Sequence, residues 1–459
     1  MSERADAHDR GRRVDAQVTL LVVSALLTCA GLALSDQAAA LALSAAQTAA
    51  LGSLLGRALR SCFGWRSVEF VVVASWLVLF TVPCWLYALD PGLLDQGTPA
   101  RAALLVNIAL YGYALGLMLW RPTGPTVHGT LEVARMRPRT RVLIGWWLVG
   151  FAAFALLLLR HGNPLHYLSR LDESASLNLG AFYIVALALM MRFSVLVWAA
   201  GRWSRGEPLE PLAIALAVAG TVLIGLTGSR LFVAVALIDF VLLYALLRRP
   251  LPLRRIAPYG LAIGLVIVFG LGTIKRFQSY NTSHPGSQIA FTHYATHNAP
   301  SELATAYANN YVDTVRLIAI ADRLVPRSAD WEGPRALLEL AVKPLPRPVR
   351  PTIGRQQVLR AAFEPNEDYA YAMPLFGTAF LAGGIVVLAL VSIGVGAFVG
   401  VLDRRLASQT LTVGTVAVLV AVAVGVPSLL RGGVPAGATL LLVDGVGTWV
   451  VARTGLRRG

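Results

Sequence analysis

Arg230 stands in the stretch GLTGSRLFV, residues 225–233, in a gap of a few residues between two apolar runs of membrane-spanning length. Gly225 and Gly228 carry no side chain, while Ser229 and Arg230 place a hydroxyl and a permanent positive charge in that gap. A guanidinium presents a planar fork of donors that matches phosphate or pyrophosphate oxygens two at a time. At the mouth of a helical bundle it can hold a lipid phosphate. The plain alternative is an arginine that snorkels to ordinary headgroups or caps the preceding helix. A second set of cations rides on AVKPLPRPVRPTIGR, where Lys343, Arg347, Arg350 and Arg355 are interleaved with Pro344, Pro346, Pro348 and Pro351. Proline stiffens the chain toward polyproline II, so these cations are presented at little ordering cost, which suits an anionic ligand of fixed geometry. The segment reads equally well as a rigid, solvated connector.

Proton transfer needs a different set. His284, His293 and His297 cluster in NTSHPGSQIAFTHYATHNAPSE, and an imidazole near its ordinary pKa can take a proton from a substrate hydroxyl. Glu302, Asp313, Glu364, Glu367 and Asp368 are carboxylates that can act as a base or pair with the arginines; otherwise all of these are solvated loop groups. No glutamate stands between His293 and His297, so the two do not form a zinc-protease helix motif. Cys29, Cys62 and Cys84 show neither metal-ligand spacing nor a disulfide framework, and no metal or cofactor is expected. Three further charges, Arg192, Asp239 and Asp444, fall inside apolar runs, about 20, 12 and 15 Å from the outer face at 1.5 Å per helical residue. Charges buried in lipid are costly and are usually paired, so a structural ion pair is the first reading and a proton path the second.

The elements that position these residues are membrane helices. The 459 residues are 56% hydrophobic and 14% charged, against about 25% charged in soluble domains. The pattern predicts an all-α polytopic membrane protein of about twelve transmembrane helices, at 18–34, 38–56, 70–89, 102–120, 142–159, 179–200, 211–228, 231–247, 256–274, 375–400, 411–430 and 434–452. The first is longer than a signal-peptide core and no clear cleavage site follows, so it is expected to remain as a span. The second, AAALALSAAQTAALGSLLG, is the weakest, being rich in small residues and interrupted by Gln47.

Charge supports the layout. With both termini cytoplasmic, the seven inner segments hold 23 Lys/Arg and the five short outer loops hold five, Arg101, Arg160, Arg170, Arg230 and Arg431. This is the positive-inside bias, and it accounts for the net charge of +15 without nucleic acid as a partner. The chain then divides into a nine-span bundle (1–274), a large extracytoplasmic loop (275–374) and a three-span bundle (375–459). A structureless loop near 100 residues is improbable in a compact protein. SELATAYANNYVDTVRLIAIADRLVP places apolar or aromatic residues at 303, 307, 311, 315 and 318, one stripe of a helix with Ser301 as N-cap and Pro326 past its end. GPRALLELAV reads as a second, shorter helix.

Taken in order, several segments resemble the bacterial oligosaccharide repeat-unit polymerases, the O-antigen polymerase (Wzy) family. GLTGSRLFVAVALIDF resembles its Gly-Ser-Arg element between two spans, and NPLHYLSRLDES the outer loop before it. PSELATAYANNYVDTVRLI resembles the helix early in its large loop, KPLPRPVRP its Pro-Arg segment, and YAYAMPLFGTAFLAGG its re-entry into the membrane. The likeness spans about residues 140–400; Leu231 stands where the family more often has glycine. The resemblance implies a metal-independent, GT-C-like glycosyltransferase in the bacterial cytoplasmic membrane. Its donor and acceptor would be undecaprenyl-pyrophosphate-linked glycans, with a flippase and a chain-length regulator as possible partners. It makes Arg230 and Arg347, then Arg170 and Arg350, the pyrophosphate-binding candidates, and Glu302 and His297 the candidate bases.

Two other functions compete. An O-antigen-type ligase would share fold and donor but use another acceptor, and THNAPSE is similar to the ligases' histidine-bearing loop. A lipid-linked glycan flippase would predict charges lining the spans and recognisable repeats; three intramembrane charges and a large organised loop favour the enzyme. Polyprenyl-phosphate sugar transferases usually carry acids in the first outer loop, which here is SDQ with Asp36 alone.

Overall fold

The computed structural model describes residues 19–61, 63–91, 98–120, 131–160, 184–225, 230–265, 313–325, 331, 333, 337, 373–407, 411–431 and 433–458. In chain order the helices are α1 (Thr19–Leu32), α2 (Asp36–Leu59), α3 (Val68–Leu89), α4 (Pro99–Leu119), α5 (Thr140–Arg160), α6 (Ile184–Trp203) and α7 (Pro211–Gly225). Then come α8 (Arg230–Leu247), α9 (Leu253–Leu265), α10 (Asp313–Leu324), α11 (Leu375–Leu406), α12 (Val413–Arg431) and α13 (Gly433–Gly455). Two three-residue strands, β1 (Met136–Pro138) and β2 (Leu456–Arg458), pair antiparallel with Arg137 opposite Arg457.

In lipid a spanning segment must satisfy its own backbone groups, so apolar runs become helices. Each of the twelve apolar runs carries a helix within its described residues. Seven are long and apolar enough to cross a membrane: α2, α3, α4, Thr140–Leu159 of α5, α6, α11 and α12. Shorter apolar helices occupy Thr19–Leu32, Pro211–Ile224 and Val233–Leu247. Leu115, Leu148, Leu156, Val218, Val222 and Leu390 point large apolar side chains outward, as a lipid-facing surface requires. The molecule is a helical membrane protein.

Contacts divide the chain into two compact units. The first comprises Met1–Thr126, Tyr311–Ala407 and Leu429–Thr439. Its core is aromatic: Trp76 packs against Phe80, Tyr113 and Phe376 with ring centroids 5.1, 5.6 and 4.9 Å apart. The stretch expected to be weakest, 38–56, lies in the 24-residue α2, where Ala39, Ala40, Leu43, Ala46, Gln47, Ala50 and Leu54 are buried. Its small residues allow close approach, and Asn107 of α4 donates to the Leu43 carbonyl at 2.9 Å. Between α4 and α11 the approach is closer still. A Cβ on Gly116 would collide with the Ile393 carbonyl, and one on Gly396 with the Tyr113 carbonyl.

The middle of α3, Leu77–Thr81, is π-helical. Pro83 explains it: proline has no N–H for the carbonyl four residues earlier, Leu79, and its ring crowds that carbonyl. The hydroxyl of Thr314 in α10 donates to Leu79 O and replaces the missing partner. At its start, α3 is capped by Ser67, which accepts from Phe70 N at 3.1 Å, and by Asp403, which accepts from Val68 N and Glu69 N at 2.7 and 3.0 Å.

Helix α10 is the described part of the helix expected over 301–325. Val315 and Ile318 of the expected stripe are buried, but so are Leu317, Ala319, Ile320 and Ala321. A single stripe was the expectation; α10 is instead enclosed on most sides because it packs among α3, α4 and α11. Ser301, the expected cap, lies outside the described residues, as does nearly all of GPRALLELAV.

The second unit comprises Val127–Asn310, Ser408–Ser428 and Leu440–Gly459. Here α5 meets α6 closely enough that a Cβ on Gly150 would strike Met191. Trp147 donates to the Leu216 carbonyl of α7 at 3.1 Å. The segment before α5 is tied down by backbone bonds from Leu131 N to Leu246 O, Ala134 N to Leu411 O and Arg139 N to Gly455 O.

Candidate functional site

Of the residues expected to bind pyrophosphate, Arg230 alone has a described backbone. It is the first residue of α8, and α7 ends at Gly225, so four residues separate the two helices. Residues 226–229, the rest of the expected turn, lie outside the described residues, and the arginine opens a helix. A cation there opposes the helix dipole, whose positive end lies at the N-terminus; an anion there is favoured by both. Arg170, Arg347, Arg350, Glu302 and His297 lie outside the described residues, as do His284, His293, Lys343, Arg355, Glu364, Glu367 and Asp368. Among the described residues, no group of three or more His, Cys, Asp or Glu could hold a metal ion.

Two described clusters carry chemistry. The first, in the second unit, joins the three intramembrane charges. Arg192 of α6 donates from Nε to Asp239 Oδ2 of α8 at 2.6 Å and from Nη1 to Asp444 Oδ1 of α13 at 2.9 Å; its Nη2 also meets Asp239 Oδ2. The side chains are 2%, 0% and 6% exposed, respectively. The fold brings all three together, and the guanidinium reaches both acids. Its face also lies 5.4 Å from the centroid of the Phe193 ring. With no exposure to water, the cluster acts as a polar lock among three helices.

The second cluster, in the first unit, was not visible in sequence. Helix α11 breaks within its apolar run: Gly383 (φ 175°, ψ 36°) and Gly384 (φ 68°, ψ −152°) leave helical geometry, and the helix restarts at Ile385. The conformation of Gly384 is essentially open only to glycine. Trp331 packs on this point; a Cβ on Gly384 would meet its ring at 3.0 Å, and the ring stands edge-on to Phe380 with centroids 5.5 Å apart. Beside the break opens a pocket of about 580 Å³, lined by Arg101, Asp322, Trp331, Phe380, Gly383, Gly384, Ile385, Val386 and Val325. Arg101, at the start of α4, donates from Nε and Nη2 to both Asp322 oxygens of α10, at 3.0 and 2.9 Å. Its side chain is 53% exposed and that of Asp322 12%. The only signal in the sequence is the Gly-Gly pair inside a run that otherwise reads as one span.

No family model, curated protein or solved structure matches the chain. Fold and clusters together define a polytopic helical membrane protein with a buried three-charge cluster in one unit and a pocket at a broken helix in the other.

Proposed function

We propose that this protein polymerises undecaprenyl-pyrophosphate-linked oligosaccharide repeat units at the outer face of the bacterial cytoplasmic membrane. The reading rests on the ordered resemblance to O-antigen polymerases over residues 140–400, with twelve spans, cytoplasmic termini and a GT-C-like bundle. The observation that supports it furthest is the backbone position of Arg230, first in α8 and five residues past Gly225 of α7, where a helix start favours an anion.

The chemistry follows. A hydroxyl of the acceptor repeat unit attacks the anomeric carbon of the donor glycan. The carbon–oxygen bond to the lipid pyrophosphate breaks, and undecaprenyl pyrophosphate leaves with the electron pair. Negative charge grows on that leaving group in the transition state, which is where preorganised arginines lower the barrier. Arg230 and Arg347 hold it, with Arg170 and Arg350 behind them. Glu302 or His297 accepts the hydroxyl proton. No nucleotide sugar is consumed.

The test is Arg230→Ala in cells. Long-chain glycan disappears while membrane expression is unchanged; normal long-chain glycan removes Arg230 from the site. Deletion separates polymerase from ligase. Loss of a polymerase leaves single repeat units on the final acceptor, and loss of a ligase leaves none.

A further inference from the structure

The pocket beside the broken α11 combines three properties. It has a fixed cation. Asp322 holds Nε and one N–H of Nη2 of Arg101, which leaves both protons of Nη1 and one of Nη2 for another acceptor. It has a break in its wall, where Gly383 and Gly384 leave helical geometry inside α11. And it has an apolar lip: Ile385, Val386 and Trp331 are 46%, 69% and 40% exposed on an apolar helix and the residue packed upon it. A volume of about 580 Å³ falls within the usual range for a small-molecule site.

We propose that this pocket binds the phosphate-bearing head of a membrane lipid, its hydrocarbon chain leaving over Ile385 and Val386. The fit is to an amphipathic anion. A phosphate accepts from the free N–H groups of Arg101, Asp322 fixes the guanidinium in place, and Trp331 and Phe380 pack against the apolar portion. This goes beyond the Arg230 site and rests on the polymerase reading in one respect, the kind of lipid, a polyprenyl phosphate.

The experiment uses the full-length protein, purified and reconstituted in nanodiscs of neutral lipid. Undecaprenyl phosphate, inorganic pyrophosphate and undecaprenol are titrated separately, with binding read by native mass spectrometry and by tryptophan fluorescence. The expected result is saturable binding of undecaprenyl phosphate, with pyrophosphate and undecaprenol each at least tenfold weaker. The double variant Arg101→Gln/Asp322→Asn removes both charges without leaving an unpaired one, and it should weaken binding of the lipid phosphate about tenfold or more. Gly384→Ala, which meets the Trp331 ring, should weaken it as well. Unchanged binding in the double variant, or equal binding of undecaprenol, overturns the proposal. Equal binding of inorganic pyrophosphate overturns the lipid as the source of the phosphate. Arg230→Ala serves as the control: it should retain this binding while losing polymer. A variant that binds normally yet still makes polymer refutes the Arg230 assignment and leaves the pocket standing.

Discussion

Replacing Arg192 with methionine removes the one cation that two buried carboxylates share, while keeping the length and apolar bulk of the side chain. Asp239 and Asp444 are 0% and 4% exposed and sit on α8 and α13, so neither can turn to water. Removing one partner of a buried pair costs roughly 3–5 kcal/mol, because the remaining charge stays desolvated. That amounts to about two to three and a half powers of ten in the folding equilibrium. The two acids should not be equal. Asp239 takes two of the guanidinium nitrogens, Nε and Nη2, and Asp444 takes one, Nη1. Either Asn substitution leaves Arg192 with one carboxylate and an amide that still accepts a hydrogen bond. The expected order of damage is therefore Arg192→Met, then Asp239→Asn, then Asp444→Asn, the last costing about 1 kcal/mol or less, the net worth of one hydrogen bond. Membrane yield of a fluorescent fusion and thermal melting of the detergent-purified protein measure it. A wild-type melting curve for Arg192→Met, or Asp444→Asn as harmful as Arg192→Met, would refute the polar lock.

Three other outcomes are expected. Thr314→Val strips the donor from Leu79 O and should lower stability by about 1–3 kcal/mol; Pro83→Ala, which returns an N–H to α3, should recover part of that loss, and additive losses in the double variant would count against the pairing. Gly116→Leu forces α4 away from α11 and should abolish a monodisperse gel-filtration peak, whereas Gly52→Ala, with nothing within 4 Å of the added Cβ, should leave it intact. On the proposed topology, Asn309→Cys in a background lacking Cys29, Cys62 and Cys84 reacts with an impermeant thiol reagent on intact cells; labelling only after lysis would place that segment inside.

Different residues show how far the sequence could be read. The apolar runs and the helices coincide closely because a segment in lipid has no other way to satisfy its backbone, a local constraint written in composition. The same pattern set a turn at 229–230 between two spans; Arg230 instead belongs to α8, and residues 226–229 lie outside the described residues. The enclosure of α10 was not legible. Its stripe at 315 and 318 reads as one-sided, and only the neighbours α3, α4 and α11 bury the other sides. The six residues nominated for the site rest on the sequence, apart from the backbone position of Arg230.

What the sequence determined by itself is the class of molecule and its helices, since hydropathy is a property of short stretches. What tertiary structure decided is partnership. Arg192 bridges two acids 47 and 252 residues away. Thr314 repairs a carbonyl that Pro83 orphaned in another helix. LAGG in α11 departs from helical geometry where Trp331, more than fifty residues earlier, packs against Gly384. Glycine permits such a break without requiring it, because a helix in lipid keeps its hydrogen bonds unless other groups in the fold make the break worthwhile.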